Sequence, residues 1–501
     1  MKITFFLREK ENEMNTFMNG LIDETNVGLT ENGAIKRNTT KSAVLDMFAL
    51  CGAYRRRSEE DCILAFKNAY EEDAVLALKC LFYLRDCRGG QGERRFFRIC
   101  FRWLADNHPE AALRNLINIS EYGRWDDLIY STIGTKVENR ALAIVAEQLA
   151  LDADCKTPSL LAKWLPSENA SSKETKKMGN IVRQALGMSH KEYRQLLSQL
   201  RSKINIVEKL MSENRWEEIE FDKIPSKAGL VYRNAFARRD IIAKRYEEFA
   251  KDETKTVNAS TLYPYDVAHK AFQAYGLKLD SPERLMIQKY WDNLPNLYGD
   301  NEENGLAIVD TSGSMSGQPL EAAVSLGAYI AEKAHGPFAG HFITFSHRPE
   351  LIKFEGLDIT DKFNRARRAS WEMNTDLKAV FDMLLRVAKS NNTKAEDMPQ
   401  RLYIFSDMEF DGCLSLGYCG EGKVNTLLES IAEEWAAAGY ELPPVVFWNL
   451  ECRQENIPAL GGRFSYVSGL SPVMIETILG GKDGWDLCIA KLMSERYDAV
   501  E

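Results

Sequence analysis

The sequence predicts a multidomain fold: an all-α module of helical repeats over residues 42–300, followed by an α/β domain with a doubly wound, mostly parallel sheet over residues 301–501. Three observations predict it. At 501 residues the chain exceeds the roughly 100–200 residues of an ordinary domain. From about residue 42 to residue 292, apolar residues recur at helical spacing, with Gly, Pro, Asn and Ser punctuation and hardly any alternating pattern. From Gly305 onward, short apolar runs alternate with helical stretches, which is the rhythm of strand–helix–strand units. Composition agrees, because 45% hydrophobic and 27% charged residues suit a soluble chain that buries sizeable cores.

Residues 1–41 form an N-terminal extension. Its opening run, Met1-Lys2-Ile3-Thr4-Phe5-Phe6-Leu7-Arg8, is too short for a signal-peptide core, and acidic residues follow it. Elsewhere no apolar stretch approaches the roughly 20 residues of a membrane span. The expectation is a cytoplasmic protein with no membrane contact. In the helical half, helices are predicted over Asp73–Arg85, Gln91–Ala105, Val137–Leu151, Ser172–Leu186, His190–Leu200 and Arg239–Lys251. Gln91–Ala105 shows the pattern best, since Phe96, Ile99, Cys100, Trp103 and Leu104 share one face. No strict repeat period is legible, so an irregular HEAT-like solenoid is expected, with a large helical bundle as the alternative.

The texture changes at Leu294-Pro295-Asn296-Leu297-Tyr298-Gly299-Asp300-Asn301, which has no hydrophobic period. Beyond it, strands are predicted over Leu306–Val309, His341–Phe345, Leu402–Phe405 and Val445–Trp448. Helices fall between them at Leu320–Lys333, Asp376–Ala388 and Asn425–Ala438. The net charge of -9 gives no sign of a nucleic-acid partner, but it conceals an asymmetry. Residues 156–251 hold 20 Lys and Arg against 12 Asp and Glu, whereas residues 304–501 hold 18 against 28. A basic helical face beside an acidic α/β domain follows.

The stretch Ile308-Val309-Asp310-Thr311-Ser312-Gly313-Ser314-Met315-Ser316 ends an apolar strand on a carboxylate and places two hydroxyls in the next turn. Asn374-Thr375-Asp376 precedes the second helix, and Ser406-Asp407-Met408-Glu409 follows the third strand. All three loops should meet at the carboxyl edge of the sheet, where ligands of such folds bind. Carboxylates and hydroxyls without His or Cys suit a small hard cation, Mg²⁺ first and Mn²⁺ second. A Ser-rich turn that merely caps a helix is the alternative.

This D-x-S-x-S pattern, with its later Thr and Asp, resembles the metal-ion-dependent adhesion site of von Willebrand factor A domains over about residues 304–501. The resemblance implies that Ser312, Ser314 and Thr375 bind the metal directly, that Asp310 and Asp407 bind it directly or through water, and that the metal captures a partner's carboxylate. Asn374 and Met408 stand where such domains often have Gly, and Glu409 and Asp411 add acid nearby.

Enzyme readings find less support. There is no P-loop pattern. Gly313-Ser314-Met315-Ser316-Gly317 has Met where a nucleophile elbow needs Ser. His335, His341 and His347 lie near the second strand without the setting of a general base, and no second metal or positioned base is evident. A noncatalytic protein is expected. The ten cysteines are scattered with no C-x-x-C pair, so reduced core thiols are expected, with Cys413 and Cys419 as the one pair placed to close a loop or catch a metal.

In the helical half, Arg94, Arg98 and Arg102 recur every four residues with Arg95 beside them, on the face opposite Phe96 and Trp103 and near Phe101. Arginines beside an aromatic can hold phosphates and stack a base; a solvated helix face is the alternative. Lys173, Lys176 and Lys177 open a second basic helix after Ser171-Ser172. A third cluster is Arg233, Arg238, Arg239, Lys244 and Arg245.

The order of the modules resembles the Ro autoantigen family with its TROVE module, and more closely a related family of the same two modules. The residues carrying this are Thr30-Glu31-Asn32-Gly33, Leu45-Asp46-Met47-Phe48, Arg85-Asp86-Cys87-Arg88-Gly89-Gly90-Gln91-Gly92-Glu93, Gly123-Arg124-Trp125-Asp126-Asp127-Leu128, Lys163-Trp164-Leu165-Pro166-Ser167, Pro225-Ser226-Lys227-Ala228 and Ser406-Asp407-Met408-Glu409-Phe410. Ro proteins close their helical repeats into a ring, thread single-stranded ends of misfolded noncoding RNA through it, and hold small structured RNAs outside. The resemblance implies an RNA-binding ribonucleoprotein scaffold whose partners are small noncoding RNA and an acidic protein at the metal site. A metal-dependent protein scaffold without RNA is the alternative.

Overall fold

The computed structural model describes residues 16–204, 206–345, 348–367, 376–411, 426–480 and 484–501. Thr375, Asn374, Cys413 and Cys419 lie outside them. The first half is helical from Ala43 to Asp292. The helices needed below are α1 (Ala43–Leu50), α2 (Ala74–Arg85), α3 (Arg94–Asn107), α4 (Trp125–Thr132), α5 (Leu161–Trp164), α6 (Lys173–Ala185), α7 (Ser226–Arg238) and α8 (Asp240–Lys251). Local chemistry starts them: Asp73 caps α2 by accepting from the Leu76 amide, and Ser172 caps α6 by accepting from Thr175. Their apolar faces meet in a core, to which α3 alone supplies Phe96, Phe97, Cys100, Phe101 and Leu104. Phe101 is fully buried and edge-on to Phe82, so it is a core residue and not a base-stacking surface.

The second half is a six-stranded sheet of β3 (Gly305–Asp310), β4 (His341–Phe345), β5 (Glu350–Lys353), β6 (Arg401–Ser406), β7 (Val445–Asn449) and β8 (Phe464–Ser468). Its order is β5-β4-β3-β6-β7-β8, parallel throughout except for β5, which runs antiparallel to β4. The strand order reverses between β3 and β6, so their carboxyl ends open a crevice at the switch point. The continuous burial of β3, β6 and β7 explains why these strands read as unbroken apolar runs. Two strands escape that signal. β5 is a four-residue edge strand of alternating exposure, and β8 interrupts its apolar run with Ser465 and Ser468, both buried.

The N-terminal extension is more ordered than its sequence suggests. A hairpin of β1 (Val27–Leu29) and β2 (Ile35–Arg37) turns through Gly33 at φ +86°, and each strand is too short to display an alternating pattern. It docks on the sheet's loops: Gly33 bridges to Asp411 and Arg37 to Ile457, while Arg37 pairs with Glu429 at 2.8 Å.

The two halves share a built interface. The Gly52 amide donates to Ser468 Oγ at 3.0 Å, and a Cβ at Gly52 would fall 2.6 Å from that oxygen. Buried Asp86 receives Arg496 and the Tyr497 hydroxyl, and Asn118 donates to the Ala499 carbonyl at 2.7 Å. The C-terminal residues are thereby stitched into the helical half, 410 positions from Asp86.

Asp46 ties the hairpin to α1, accepting from the Thr40 amide at 2.7 Å and from the Thr39 hydroxyl. Burial outweighs these bonds and pushes its carboxyl up to about 6. The folded chain therefore binds this proton more tightly than the unfolded chain, and the contribution is lost as pH rises from about 4 through 6. Asp46→Asn keeps the size and the acceptor. Its stability relative to wild type is expected to improve by on the order of 2 kcal/mol between pH 4 and pH 7; parallel denaturation midpoints across that range would refute it.

Candidate metal site and basic groove

At the crevice, β3 delivers Asp310 and the turn after it delivers Ser312 and Ser314, while β6 ends on Ser406 and Asp407. Asp310 and Asp407 are fully buried. Asp310 accepts from the Ser312 amide at 2.9 Å and from Ser406 Oγ at 2.5 Å, and the Ser312 and Ser314 hydroxyls lie 2.9 Å apart. Burial, then the neighbouring Asp407, pushes the Asp310 carboxyl up to about 7, and burial also raises Asp407. Asp407 Oδ2 is buried with no hydrogen-bond donor. Two buried carboxylates, one with an orphaned oxygen, and two hydroxyls fit a hard divalent cation, which would offset the burial penalty that raises both acids. Among the described residues no cluster of three or more His, Cys, Asp and Glu could hold a metal, so a cation here depends on the hydroxyls. Thr375, the fifth expected ligand, lies outside the described residues; its neighbour Asp376 caps the following helix by accepting from Ala379 at 2.9 Å.

Two departures in the sequence receive physical reasons. Met408 sits at φ +63°, the left-handed region that favours Gly, and its amide donates to Ser406 Oγ at 2.9 Å. Glu409 turns away from the cradle. It accepts from the Glu31 amide and from Asn456, each at 2.7 Å, while Thr30 Oγ1 donates to the Phe410 carbonyl at 2.7 Å. The motifs Thr30–Gly33 and Ser406–Phe410, far apart in the chain, are thus the two sides of one contact.

The second site lies on α3. A cavity of 640 Å³ is lined by Arg94, Arg95, Arg98, Arg102, Trp103, Tyr130, Glu59, Asp106 and Glu174 among others. Trp103 packs edge-on to buried Phe66 and also lines the cavity, so it stands at the boundary between the apolar and basic faces. The arginines divide by role. Arg98 pairs with Asp127 at 2.7 Å and Asp126 at 2.8 Å and stacks on Tyr130, and Arg102 donates to the Tyr130 and Ile133 carbonyls. Among the described residues the Arg95 guanidinium reaches the Cys62 sulfur, at 3.7 Å. Arg94 has no hydrogen-bond or ion-pair partner among the described residues, and partial desolvation, then Arg124 and Arg98, holds its guanidinium below the ordinary value. Arg124 lies 4.0 Å over the Trp164 ring. Asp126 and Asp127 offset part of the effect on Arg94 through space, and the Arg94 guanidinium keeps donors that an anion could take up.

The first turn of α6 joins this groove, since Glu174 lines it and Thr175 Oγ1 lies 3.3 Å from the Tyr130 hydroxyl. Lys173, Lys176 and Lys177 are exposed on that turn and the next. The third cluster does not line the cavity. Arg238 is exposed at the end of α7, Arg239 stacks on Trp216 and donates to Asn214, Arg233 is buried on the Leu230 carbonyl, and Arg245 holds the Glu217 and Ile219 carbonyls. Tyr130, Arg124 and Trp164 carried no periodic signal and were brought to the groove by folding alone.

A family model described as Domain of unknown function (DUF2828) matches residues 30–134 and 150–296, about half of the chain. An uncharacterised protein of Acanthamoeba polyphaga mimivirus is 30% identical over 505 residues, covering 91% of this chain and 85% of that protein. The chain belongs to the DUF2828 family. A second model, Domain of unknown function (DUF7788), matches residues 304–495 of this DUF2828 protein, the stretch that forms the sheet. Among solved structures, the Ro (RSR) protein of Deinococcus radiodurans aligns at a TM-score of 0.49 and 12% identity, over 88% of this chain and 100% of that one. Among the described residues no helix is long and apolar enough to cross a membrane.

Proposed function

We propose that this DUF2828 protein is a noncatalytic, Ro-like RNA-binding scaffold in which a HEAT-like, TROVE-type helical module holds small noncoding RNA, and a von Willebrand factor A-type domain binds Mg²⁺ and, through it, an acidic protein partner. The observation that carries the reading is the α3 groove, where Arg94 makes no ion pair among the described residues and the first turn of α6, about 80 positions on, lines the same cavity through Glu174, next to exposed Lys173. Separated basic clusters converging on one surface suit a polyanion, whose phosphates satisfy donors that the protein leaves open. The Asp310–Ser312–Ser314–Asp407 cradle supports the second element, with Mn²⁺ as the alternative ion. The reading places the protein in the cytoplasm.

The test is to purify the full chain from its own cells at low salt and to sequence any nucleic acid that travels with it. A defined RNA is expected, and it should be lost when Lys173, Lys176 and Lys177 are replaced by Ala. Protein free of nucleic acid would instead favour the metal-dependent protein scaffold, the reading left by the cradle alone.

A further inference from the structure

Arg453, in the loop after β7, reaches the cradle from outside the motif. Its Nη2 donates to the Ser314 carbonyl at 2.5 Å. Its Nε lies 3.9 Å from Asp407 Oδ2, the buried oxygen that has no hydrogen-bond donor. Its Nη1 lies 3.8 Å from Glu31 of the N-terminal hairpin. One guanidinium thus touches the turn after β3, the carboxylate after β6 and the hairpin docked on both. A carboxylate buried beside Asp310 needs positive charge nearby, and Arg453 provides it at the oxygen with which a cation would bond.

We propose that Arg453 is a tethered cation that competes with the divalent ion for Asp407, setting the affinity of the cradle, and that Glu31 receives the guanidinium when the ion binds. The inference rests on the metal reading above. Like charges a few ångströms apart on one carboxylate oppose each other strongly. The 34% exposure of the Arg453 side chain both screens that repulsion and leaves room to withdraw. The carbonyl bond to Ser314 keeps the group poised, so the cradle binds its ion more weakly than its ligands alone would allow.

Mn²⁺ titration of the full chain, followed by the electron paramagnetic resonance of the free ion, tests this without reference to any activity. Arg453→Gln is expected to tighten Mn²⁺ binding about tenfold, and Arg453→Lys, which keeps the charge, to leave it within about twofold of wild type. Arg453→Met retains the apolar stem and serves as the second neutral variant; thermal denaturation establishes that each is folded. Unchanged or weaker binding in the folded neutral variants overturns the tethered-cation role. Mn²⁺ binding by neither the wild type nor any variant overturns the metal reading itself and this inference with it, and Asp407→Asn is the control that separates cradle binding from adventitious binding.

Discussion

Asp127→Ala is expected to destabilise the chain by about 3–5 kcal/mol, measured as a shift in the denaturant midpoint at unchanged slope. Asp127 is fully buried and accepts from Arg85 Nε at 2.8 Å, Arg85 Nη2 at 2.5 Å, Arg98 Nε at 2.7 Å and the Arg124 amide at 3.0 Å. Arg85 is itself only 3% exposed, so deleting the carboxylate leaves a guanidinium out of water with no counterion. Asp126 is less critical, because Arg98 and Arg124 both reach it from partly exposed positions. Its replacement by Ala is expected to cost about 1–2 kcal/mol. Equal losses at the two positions would mean that burial at Asp127 is not what makes the network matter.

The basic groove proposed to hold RNA yields the second large effect. Arg94→Ala is expected to weaken binding of single-stranded RNA about tenfold at low salt and to leave stability unchanged, since that guanidinium makes no hydrogen bond or ion pair among the described residues. The logarithm of affinity against the logarithm of salt should lose about 0.7 in slope for each phosphate contact removed, so Arg94 together with Lys173, Lys176 and Lys177 should flatten it by about 2–3. Arg98→Ala gives the contrasting result: its charge is committed to Asp126 and Asp127, and its principal effect falls on the folding midpoint. A salt slope unmoved by the fourfold variant would remove the groove from RNA binding.

Much of the fold was legible. The strands over His341–Phe345 and Val445–Trp448 and the helix over Asp73–Arg85 were readable to within a residue or so of where they form, because burial on both faces of a parallel strand, or on one helix face, writes itself into composition. β5, β8 and the hairpin were not legible, since edge position, buried serines and three-residue strands leave no period to count. The cradle residues Asp310, Ser312, Ser314 and Asp407 were legible as a spacing after apolar strands, whereas their mutual distances were not.

The basic clusters show the limit from the other side. Arg94, Arg98 and Arg102 form a helical stripe in the sequence, yet the stripe does not reveal that Arg98 and Arg102 are spent on Asp126, Asp127 and backbone carbonyls while Arg94 makes no ion pair among the described residues. Nor does it show that Phe101 points inward and Tyr130 outward to the groove.

By itself the sequence determined the two architectures, the carboxylates and hydroxyls gathered at the ends of β3 and β6, and which helices carry cations. Periodicity and residue type are local properties, and they act within a few turns of chain. Tertiary structure decided which cations are neutralised, that the first turn of α6 closes on the groove of the α3 arginines, and that Arg453 and Glu31 stand at the cradle. Those outcomes depend on pairwise distances between residues up to several hundred positions apart, and such distances exist only once the core has packed.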